Sequence, residues 1–279
     1  MALIPPFFMD CVVAIGADDY QGKRKWIASG FLYGYLQPST EGVQKLYYVF
    51  LVSNRHVFEE LKIAYLRFNP QANGQAREYK LNLVDNDNKP LWFANPKKEV
   101  DIAMIPININ LLKEQAMQVA FFQSDLHVAN IEKMNELGIT EGDFAYVLGF
   151  PMGLVGDQRN AVIVRSGSIA RIRDTLAKTN QIFLVDAFVF PGNSGGPVVS
   201  KPEALSIDGT KSQGSAYLIG IVQSYVPNQD IAISLQTKRP RVIFEENSGL
   251  AAVHPADLIE ETIQTYLKLQ VNKNESAKM

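Results

Sequence analysis

The sequence is poor in the features of an exported or membrane protein. Its 279 residues include one cysteine, Cys11, so no disulfide can form within the chain and no multi-cysteine metal site is available. No run approaches the ~18 apolar residues of a membrane span. The apolar start of the chain has no basic residues before it and is interrupted by Pro5 and Pro6, which makes it a poor signal peptide. We therefore expect a cytoplasmic protein in a reducing environment.

An excess of charge of one sign is also missing. The chain has 27 Lys and Arg residues against 29 Asp and Glu residues, a net charge of −2, which argues against nucleic acid or an anionic membrane as a partner. A peptide or protein partner stays open. Hydrophobic residues make up 47% and charged residues 20%, as in ordinary globular proteins, and the length suits roughly two domains or one large unit.

Short apolar and β-branched runs between turn signals recur in both halves of the chain, which indicates an all-β fold of two successive units. Between the units, residues 110–119 and 130–137 lack glycine and predict short helices. Residues 258–269 predict a further helix, capped by Asp257, that docks on the second unit. Its apolar face consists of Leu258, Ile259, Ile263, Tyr266 and Leu267. Residues 271–279 are polar and predict a flexible tail.

Residues 192–197, Gly-Asn-Ser-Gly-Gly-Pro, are the segment that carries chemistry. A nucleophilic hydroxyl has to stand on a tight turn, with backbone N–H groups nearby that stabilise a developing oxyanion. Glycine permits that backbone geometry because it has no Cβ. Ser194 is therefore the candidate nucleophile, and a glycine-rich hairpin turn with an incidental serine is the alternative.

A nucleophilic serine needs a base, and the chain has three histidines. His56 follows an apolar strand where the chain breaks into a short turn, a position typical of a site residue. His127 lies in a polar stretch and is expected on the surface, whereas His254 precedes a proline at a strand-to-helix junction and is expected to be structural. Asp101 begins an apolar strand and is the candidate carboxylate that orients His56, although an aspartate there can simply be solvated.

These residues resemble the chymotrypsin-like (trypsin-like) serine peptidases, and within them the HtrA (Deg) type. The order His56, Asp101, Ser194 is that of chymotrypsin. The resemblance rests on Asn-Arg-His-Val at 54–57, Asp-Ile-Ala-Met at 101–104 and the serine motif, with support from residues 142–154, 185–187 and 248–255. It implies two six-stranded antiparallel β-barrels with a C-terminal helix. The N-terminal barrel would span residues 1–120, the second barrel 121–254, and the helix and tail 255–279.

The resemblance implies a serine endopeptidase that hydrolyses peptide bonds through an acyl-enzyme on Ser194. His56 would act as the general base and Asp101 would hold the imidazole. The backbone N–H groups of Gly192 and Ser194, on either side of Asn193, would form the oxyanion hole, and no metal or organic cofactor is required. Family zymogens have an aspartate in place of Asn193, so activation by propeptide cleavage is not expected.

Substrate recognition is implied by the same resemblance. The substrate should add as a strand to the edge at residues 221–225 and contact Gln223, Ser224 and Tyr225. The wall of the S1 pocket, which holds the substrate residue before the scissile bond (P1), falls on Phe188 and near Tyr225. Because no aspartate lies at the base of that pocket, we expect a small or medium apolar P1 residue.

The chain departs from the HtrA type in three respects. It ends after one helix without a PDZ domain, it has Ser53, Asn54 and Arg55 where Thr-Ala-Ala is common, and residues 107–130 resemble an insertion. The stress-protease role of HtrA-type enzymes is therefore not carried over.

Three other interpretations stay open. An α/β-hydrolase esterase would use Ser194, Asp230 and His254 in that order, although the residues from Pro197 onward predict a strand where that fold needs a helix. A catalytically silent protein of the protease fold would bind peptides without cutting them. A regulated peptidase would idle with a malformed loop at residues 190–193 until an activating protein partner or a substrate orders it.

Overall fold

The computed structural model describes residues 4–38, 45–203 and 211–276 of the chain. The helices of these residues are α1 (Pro6–Asp10), α2 (Arg55–Glu59), α3 (Ile109–Glu114), α4 (Ile131–Leu137), α5 (Arg173–Leu176) and α6 (Ala256–Ser276). The strands are β1 (Val12–Asp18), β2 (Arg24–Leu36), β3 (Tyr47–Ser53), β4 (Ile63–Phe68), β5 (Arg77–Asn82), β6 (Phe93–Ala94), β7 (Ala103–Pro106), β8 (Phe122–Gln123), β9 (Phe144–Gly149), β10 (Ile163–Arg171), β11 (Phe183–Asp186), β12 (Pro197–Ser200), β13 (Leu218–Ile233) and β14 (Pro240–Pro255). The predicted all-β fold of two units with a C-terminal helix is confirmed.

Strands β1 to β8 form one sheet in the order β5-β4-β1-β2-β3-β7-β6, with β8 paired parallel to β2. Both faces are buried along much of its central strands β1, β2 and β3. Along β1, Val12 and Ala14 enter a core that the two units share, whereas Val13 and Ile15 enter a core of the N-terminal unit. Successive side chains of a strand point to opposite faces, so a sheet that is covered on both sides requires the continuous apolar runs of this sequence.

The N-terminal unit differs from the six-stranded barrel that was expected. Among the described residues it has eight strands, and no ladder joins its end strands β5 and β6. Strand β8 lies within residues 107–130, the segment predicted to be an insertion, and follows residue 120. Gly34 in β2 allows this approach, because a Cβ there would overlap the Phe121 ring. This segment thus extends the first sheet, while the division into domains at residue 120 stays a prediction.

Strands β9 to β14 close into a barrel in the order β10-β11-β14-β13-β12-β9. This is the six-stranded antiparallel barrel that was expected for the second unit. Its interior is filled by buried apolar side chains that include Val147, Phe183, Val185, Val198 and Val253. β13 and β14 have 16 residues each and stay paired beyond the barrel as far as Ile233 and Pro240. Residues 226–248, which we call the β13–β14 extension, therefore form a hairpin outside the barrel.

The connector helices form where the sequence predicts them, although α3 is shorter than the predicted 110–119. The side chain of Asn108 accepts a hydrogen bond from the Asn110 N–H at 3.0 Å, and the side chain of Asn130 accepts one from the Lys133 N–H at 2.9 Å. These bonds satisfy N–H groups that the first turn of a helix leaves open.

Helix α6 packs against both units. Leu258, Ile259 and Ile263 are buried in the shared core, as the predicted apolar face requires. The Tyr266 ring lies 5.9 Å from the ring of Phe50 in the N-terminal sheet, measured between centroids. The predicted docking on the second unit is confirmed by contacts with β13 and β14, and the helix also contacts β6 and β7 of the N-terminal sheet.

The helix is also longer than the predicted 258–269. It continues to Ser276, because no glycine or proline follows Leu269 in this stretch. Residues 271–276 of the predicted flexible tail are thus helical, and the rest of that tail, 277–279, lies outside the described residues. Within the described parts of the chain, no helix has the length and hydrophobicity needed to cross a bilayer.

Candidate active site

The pairing of β3 with β7 brings His56 and Asp101 together. These strands are neighbours in the N-terminal sheet, with Ser53 opposite Ala103. His56 lies in the first turn of α2, just after β3, and Asp101 lies two residues before β7. The two residues are therefore adjacent in space although 45 positions separate them in the chain.

The Asp101 carboxylate contacts His56 through both oxygens. Oδ1 accepts a hydrogen bond from the His56 backbone N–H at 3.1 Å, and Oδ2 lies 2.6 Å from His56 Nδ1. Because an ionised carboxylate only accepts hydrogen bonds, Nδ1 carries the proton and Nε2 of the neutral ring has a free lone pair. The hydrogen bond to Asp101 raises the pKa of His56 above its ordinary value, although partial burial acts in the opposite direction. The imidazole is thus oriented to accept a proton at Nε2.

The residues before His56, where the chain departs from the HtrA type, support the same aspartate. Asn54 is buried, and its Nδ2 donates to the Asp101 carbonyl at 2.7 Å. The Arg55 guanidinium donates to three carbonyls of the loop that leads to Asp101, those of Asn95, Lys97 and Val100. The Asn-Arg pair therefore holds the loop that carries the carboxylate.

His254 supports Asp101 from the second barrel. It is completely buried, its Nε2 accepts a hydrogen bond from the Asp101 backbone N–H at 3.1 Å, and its Nδ1 lies 3.0 Å from the Gln181 carbonyl oxygen. A ring that donates from Nδ1 and accepts at Nε2 is neutral, and burial lowers the pKa of His254, which keeps it neutral. The sequence predicts a structural role for His254. In the structure, its hydrogen bond holds the loop that carries Asp101.

The first of two turns in the serine loop contains Pro191 and Gly192. The Asn193 N–H closes this turn on the Phe190 carbonyl at 2.9 Å, and Gly192 has a φ of +100°. Proline followed by a residue of positive φ is the pattern of a type II turn. A Cβ on Gly192 would also overlap the Phe150 carbonyl oxygen, so both the conformation and the space require glycine here.

The second turn presents Ser194. The Gly196 N–H bonds to the Asn193 carbonyl at 2.8 Å, and Gly195 has a φ of +79°. The Gly195 N–H donates to the Val222 carbonyl at 3.0 Å, which attaches the loop to β13. Ser194 is the partly exposed residue between buried neighbours.

The backbone N–H groups of Gly192 and Ser194 have no acceptor among the described residues. The Pro191 carbonyl, in the same peptide group as the Gly192 N–H, accepts a hydrogen bond from the Met152 N–H at 2.6 Å. The C=O and N–H of a trans peptide point in opposite directions, so the Gly192 N–H points away from Met152. Both N–H groups are thus left to donate to a ligand.

Ser29 in β2 connects the N-terminal sheet to this loop, a role that the sequence did not reveal. Its hydroxyl donates to the Gly192 carbonyl at 2.6 Å and accepts from the Phe150 N–H at 2.9 Å. Its backbone N–H donates to the Ser194 carbonyl at 2.9 Å. A serine between Ala28 and Gly30, within the apolar part of the strand that follows Lys25, was the signal that could have marked it.

Asn193 contributes to the loop through its side chain. Its Oδ1 accepts a hydrogen bond from the Phe190 N–H at 3.1 Å, and the residue is 1% exposed. The amide therefore closes the loop locally, at the position where family zymogens have an aspartate.

A cavity of about 190 Å³ opens between the candidate residues. Its walls are formed by His56, Val189, Phe190, Pro191, Asn193, Ser194, Val222, Gln223, Ser224 and Tyr225. Five of the residues predicted for catalysis or substrate binding thus meet at one cavity: His56, Ser194, Gln223, Ser224 and Tyr225. Among the described contacts no hydrogen bond joins the Ser194 hydroxyl to His56, as is common before a substrate binds.

Phe188 is not part of this wall. Its side chain is 54% exposed and its ring lies beside Gly249 on β14, so Phe188 does not form the predicted wall at this cavity, which Val189 and Phe190 line instead. Buried and exposed residues alternate from Ala187 to Val189, so Phe188 faces outward where Val189 faces inward.

The other predicted arrangements do not assemble. Asp230 lies on the exposed β13–β14 extension, and His254 bonds to the Asp101 backbone rather than to Ser194, which excludes the esterase triad. Strand β12 follows the serine loop, where the esterase fold requires a helix. His127, expected on the surface, is half-buried against the Phe7 ring, and its Nδ1 accepts from the Gln123 N–H at 3.0 Å.

Two all-β units, a closed second barrel and a glycine-rich serine loop beside a histidine–aspartate pair define the chymotrypsin-like class of serine peptidases. A family model described as trypsin-like peptidase domain matches residues 13–205, more than half of the chain and a range that includes His56, Asp101 and Ser194. The chain belongs to this family, whose members act on peptide or protein substrates. No curated protein matches the chain with significant similarity.

Proposed function

We propose that the protein is a serine endopeptidase in which Ser194, His56 and Asp101 form the catalytic triad. The observation that carries this proposal is the two-point contact of Asp101 with His56 at the cavity that Ser194 also lines. The segments at 142–154, 185–187 and 248–255 further support an HtrA-type protease domain within the family.

In this mechanism the Ser194 hydroxyl attacks the scissile carbonyl as its proton moves to His56 Nε2. The C–N bond of the tetrahedral intermediate then breaks, His56 returns the proton to the leaving amine, and an acyl-enzyme remains. Water attacks the acyl-enzyme with His56 again as the base, which releases the acid and restores the Ser194 hydroxyl. Asp101 holds the ring tautomer and stabilises the imidazolium throughout.

The oxyanion hole consists of the N–H groups of Gly192 and Ser194. Each donor of this kind contributes ~3–4 kcal/mol of transition-state stabilisation. Bonds within the chain hold the loop in this form: Pro191 to Met152, and Gly192 to Ser29. These contacts support activity without an activating partner, in preference to a loop that awaits one.

The walls of the cavity support an apolar P1 residue. Val189, Phe190 and Val222 contribute apolar surface, and no acidic side chain lines the cavity. An unpaired Lys or Arg would lose its hydration without gaining a carboxylate. A peptide library scanned at P1 should show preference for small or medium apolar residues, and a strong preference for Arg or Lys would overturn this assignment.

Covalent labelling tests the proposed function. Wild type and the Ser194→Ala, His56→Ala and His254→Ala variants are incubated with a fluorophosphonate probe, and adducts are counted by intact mass. One adduct is expected on wild type and none on Ser194→Ala or His56→Ala, whereas His254→Ala should be labelled slowly but fully. Absence of an adduct on folded wild type would reject the peptidase and favour a silent peptide-binding protein of the same fold.

A further inference from the structure

The β13–β14 extension, residues 226–248, exposes a concentration of apolar side chains. Ile231, Ile243 and Phe244 are 54%, 61% and 56% exposed. Ile233, at 57%, lies further toward the tip. Adjoining exposed apolar side chains of this kind mark binding surfaces. The extension also lies beyond residues 13–205, so the family match does not account for it.

One face of the extension is continuous with the candidate active-site cavity. Ile231 pairs with Ile243, and two residues closer to the barrel Gln229 pairs with Glu245. Cross-strand partners, and residues two positions apart, share a face of a hairpin. The Glu245 carboxylate accepts hydrogen bonds from Gln229 and from the hydroxyl of Tyr225, which lines the cavity. The isoleucine pair thus lies on the face that begins at the substrate pocket.

The backbone edge of β13 is continuous with the cavity as well. β12 pairs with β13 only as far as Ile221, and the serine loop bonds to Val222. From Gln223 to Ile233, β13 pairs with β14 on one side, and no strand among the described residues pairs with its other side. Pro227, which has no N–H to donate, is a residue that strands tolerate at such an open edge. An open edge can accept another extended chain as an added strand.

We infer that the β13–β14 extension binds the part of an extended polypeptide substrate that precedes the scissile bond, and that this part is apolar. The inference rests on the proposed function. A chain added antiparallel to β13 runs from Ile233 toward Val222, so the residues before P1 lie along the extension. The eight steps from Tyr225 to Ile233 span ~26 Å, room for roughly eight substrate residues. A lipid surface supplies no strand for the open edge, and continuity with the cavity favours a substrate over a second copy of the chain.

Matched peptides test this inference. All share the same six residues around the scissile bond. One has no extension, one has eight residues rich in valine and isoleucine before the bond, one has eight Gly and Ser residues there, and one has the apolar extension after the bond. The readout is the ratio of kcat/KM between an extended and the unextended peptide.

The apolar extension before the bond should raise kcat/KM at least tenfold, mainly through KM, and the other two extensions should change it less than twofold. The Ile231→Ser/Ile243→Ser double variant should reduce the tenfold gain to less than twofold. The matched control Leu111→Ser alters a 42% exposed apolar residue on α3 and should keep the gain. A gain that is absent, or that is equal for both placements of the apolar extension, would overturn the inference.

Binding measurements separate this inference from the proposed function. Binding of labelled peptides to the Ser194→Ala variant is measured by fluorescence anisotropy. This variant should bind the peptide that has the apolar extension before the bond more tightly than the unextended peptide. When Ile231→Ser and Ile243→Ser are added to it, the two peptides should bind with equal affinity. This result without any cleavage by wild type would reject the peptidase and retain the binding surface. A wild-type dimer in sedimentation velocity that becomes monomeric in the double variant would assign the surface to a second copy and overturn the inference.

Discussion

The imidazole of His254 accepts a hydrogen bond from the backbone N–H of Asp101. The aspartate is thus held from both units, because Asn54 of the N-terminal sheet donates to its carbonyl while His254 of the barrel accepts from its N–H. Its carboxylate remains free to contact His56 through both oxygens. Any relative shift of the two units would therefore disturb the orientation of the proposed general base.

Replacement of His254 by leucine should weaken both activity and stability. The partly buried Asp101 N–H would lose its acceptor, at a cost of about 1 kcal/mol in the free energy of unfolding. We expect kcat/KM to fall about tenfold as the carboxylate loses its position, with urea unfolding as the measure of stability. His254→Gln, which retains an acceptor oxygen, should lose less of both. Wild-type kcat/KM in a folded His254→Leu variant would show that the contact does not position Asp101.

The pH dependence of kcat/KM should report the titration of His56. The proposed base, His56, accepts a proton only when it is neutral. The hydrogen bond to Asp101 raises the pKa of His56, although partial burial of the ring lowers it in part. Activity should therefore rise with pH through a midpoint above the ordinary histidine value of about 6.5. Asp101→Asn should keep the fold and lower kcat/KM by roughly 10⁴-fold. A midpoint below pH 6 in wild type would contradict the assignment.

The buried His254 should reduce stability on mild acidification, against the opposite contribution of His56, whose pKa is raised in the folded state. Burial lowers the pKa of His254, so below pH ~6.5 the unfolded chain binds more protons at this residue than the folded one. The stabilisation from this group is complete above that pH and is lost as the pH falls through the lowered pKa. Urea unfolding at several pH values between 8 and 5.5 measures the slope of the free energy of unfolding against pH.

His254→Gln should flatten that slope. His127, whose pKa burial also lowers, contributes in the same direction, so His127→Gln is the matched comparison. An unchanged slope in His254→Gln would mean that this residue does not titrate differently in the folded and unfolded states.

Removal of the Ser29 hydroxyl should impair the oxyanion loop. Ser29→Ala leaves the Gly192 carbonyl and the buried Phe150 N–H without their partner. We expect kcat to fall about 10- to 100-fold, with slower fluorophosphonate labelling and little change in KM, since the hole acts on the transition state.

Ser53→Ala is the control for this change. Ser53 is also buried, and its hydroxyl donates to the Ser29 carbonyl at 2.8 Å rather than to the loop. Ser53→Ala should lower the free energy of unfolding by a similar amount, but it should reduce kcat less than Ser29→Ala does. Equal effects of the two variants on kcat would indicate that general destabilisation, rather than the loop contact, is responsible.

Much of the site could be predicted because its chemistry is local in the chain. The two turns around Ser194 follow from Pro191, Gly192 and Gly195, since the positive φ angles they need are set by residue type. The strand-rich fold follows from short apolar runs, whose alternation is likewise a local property. The addition of β8 to the first sheet could not be predicted, because its pairing with β2 joins segments about ninety residues apart.

The supporting contacts depended on the tertiary structure. Ser29 reaches Gly192, and His254 reaches Asp101, across more than 150 positions in the chain. Such contacts arise from the packing of one unit on the other, which no local pattern encodes. Phe188 shows the same limit on a smaller scale, because its side chain faces away from the cavity that Val189 and Phe190 line, and the local sequence does not set that direction. The chain alone therefore determined which residues could react, and packing between distant segments determined what holds them in place.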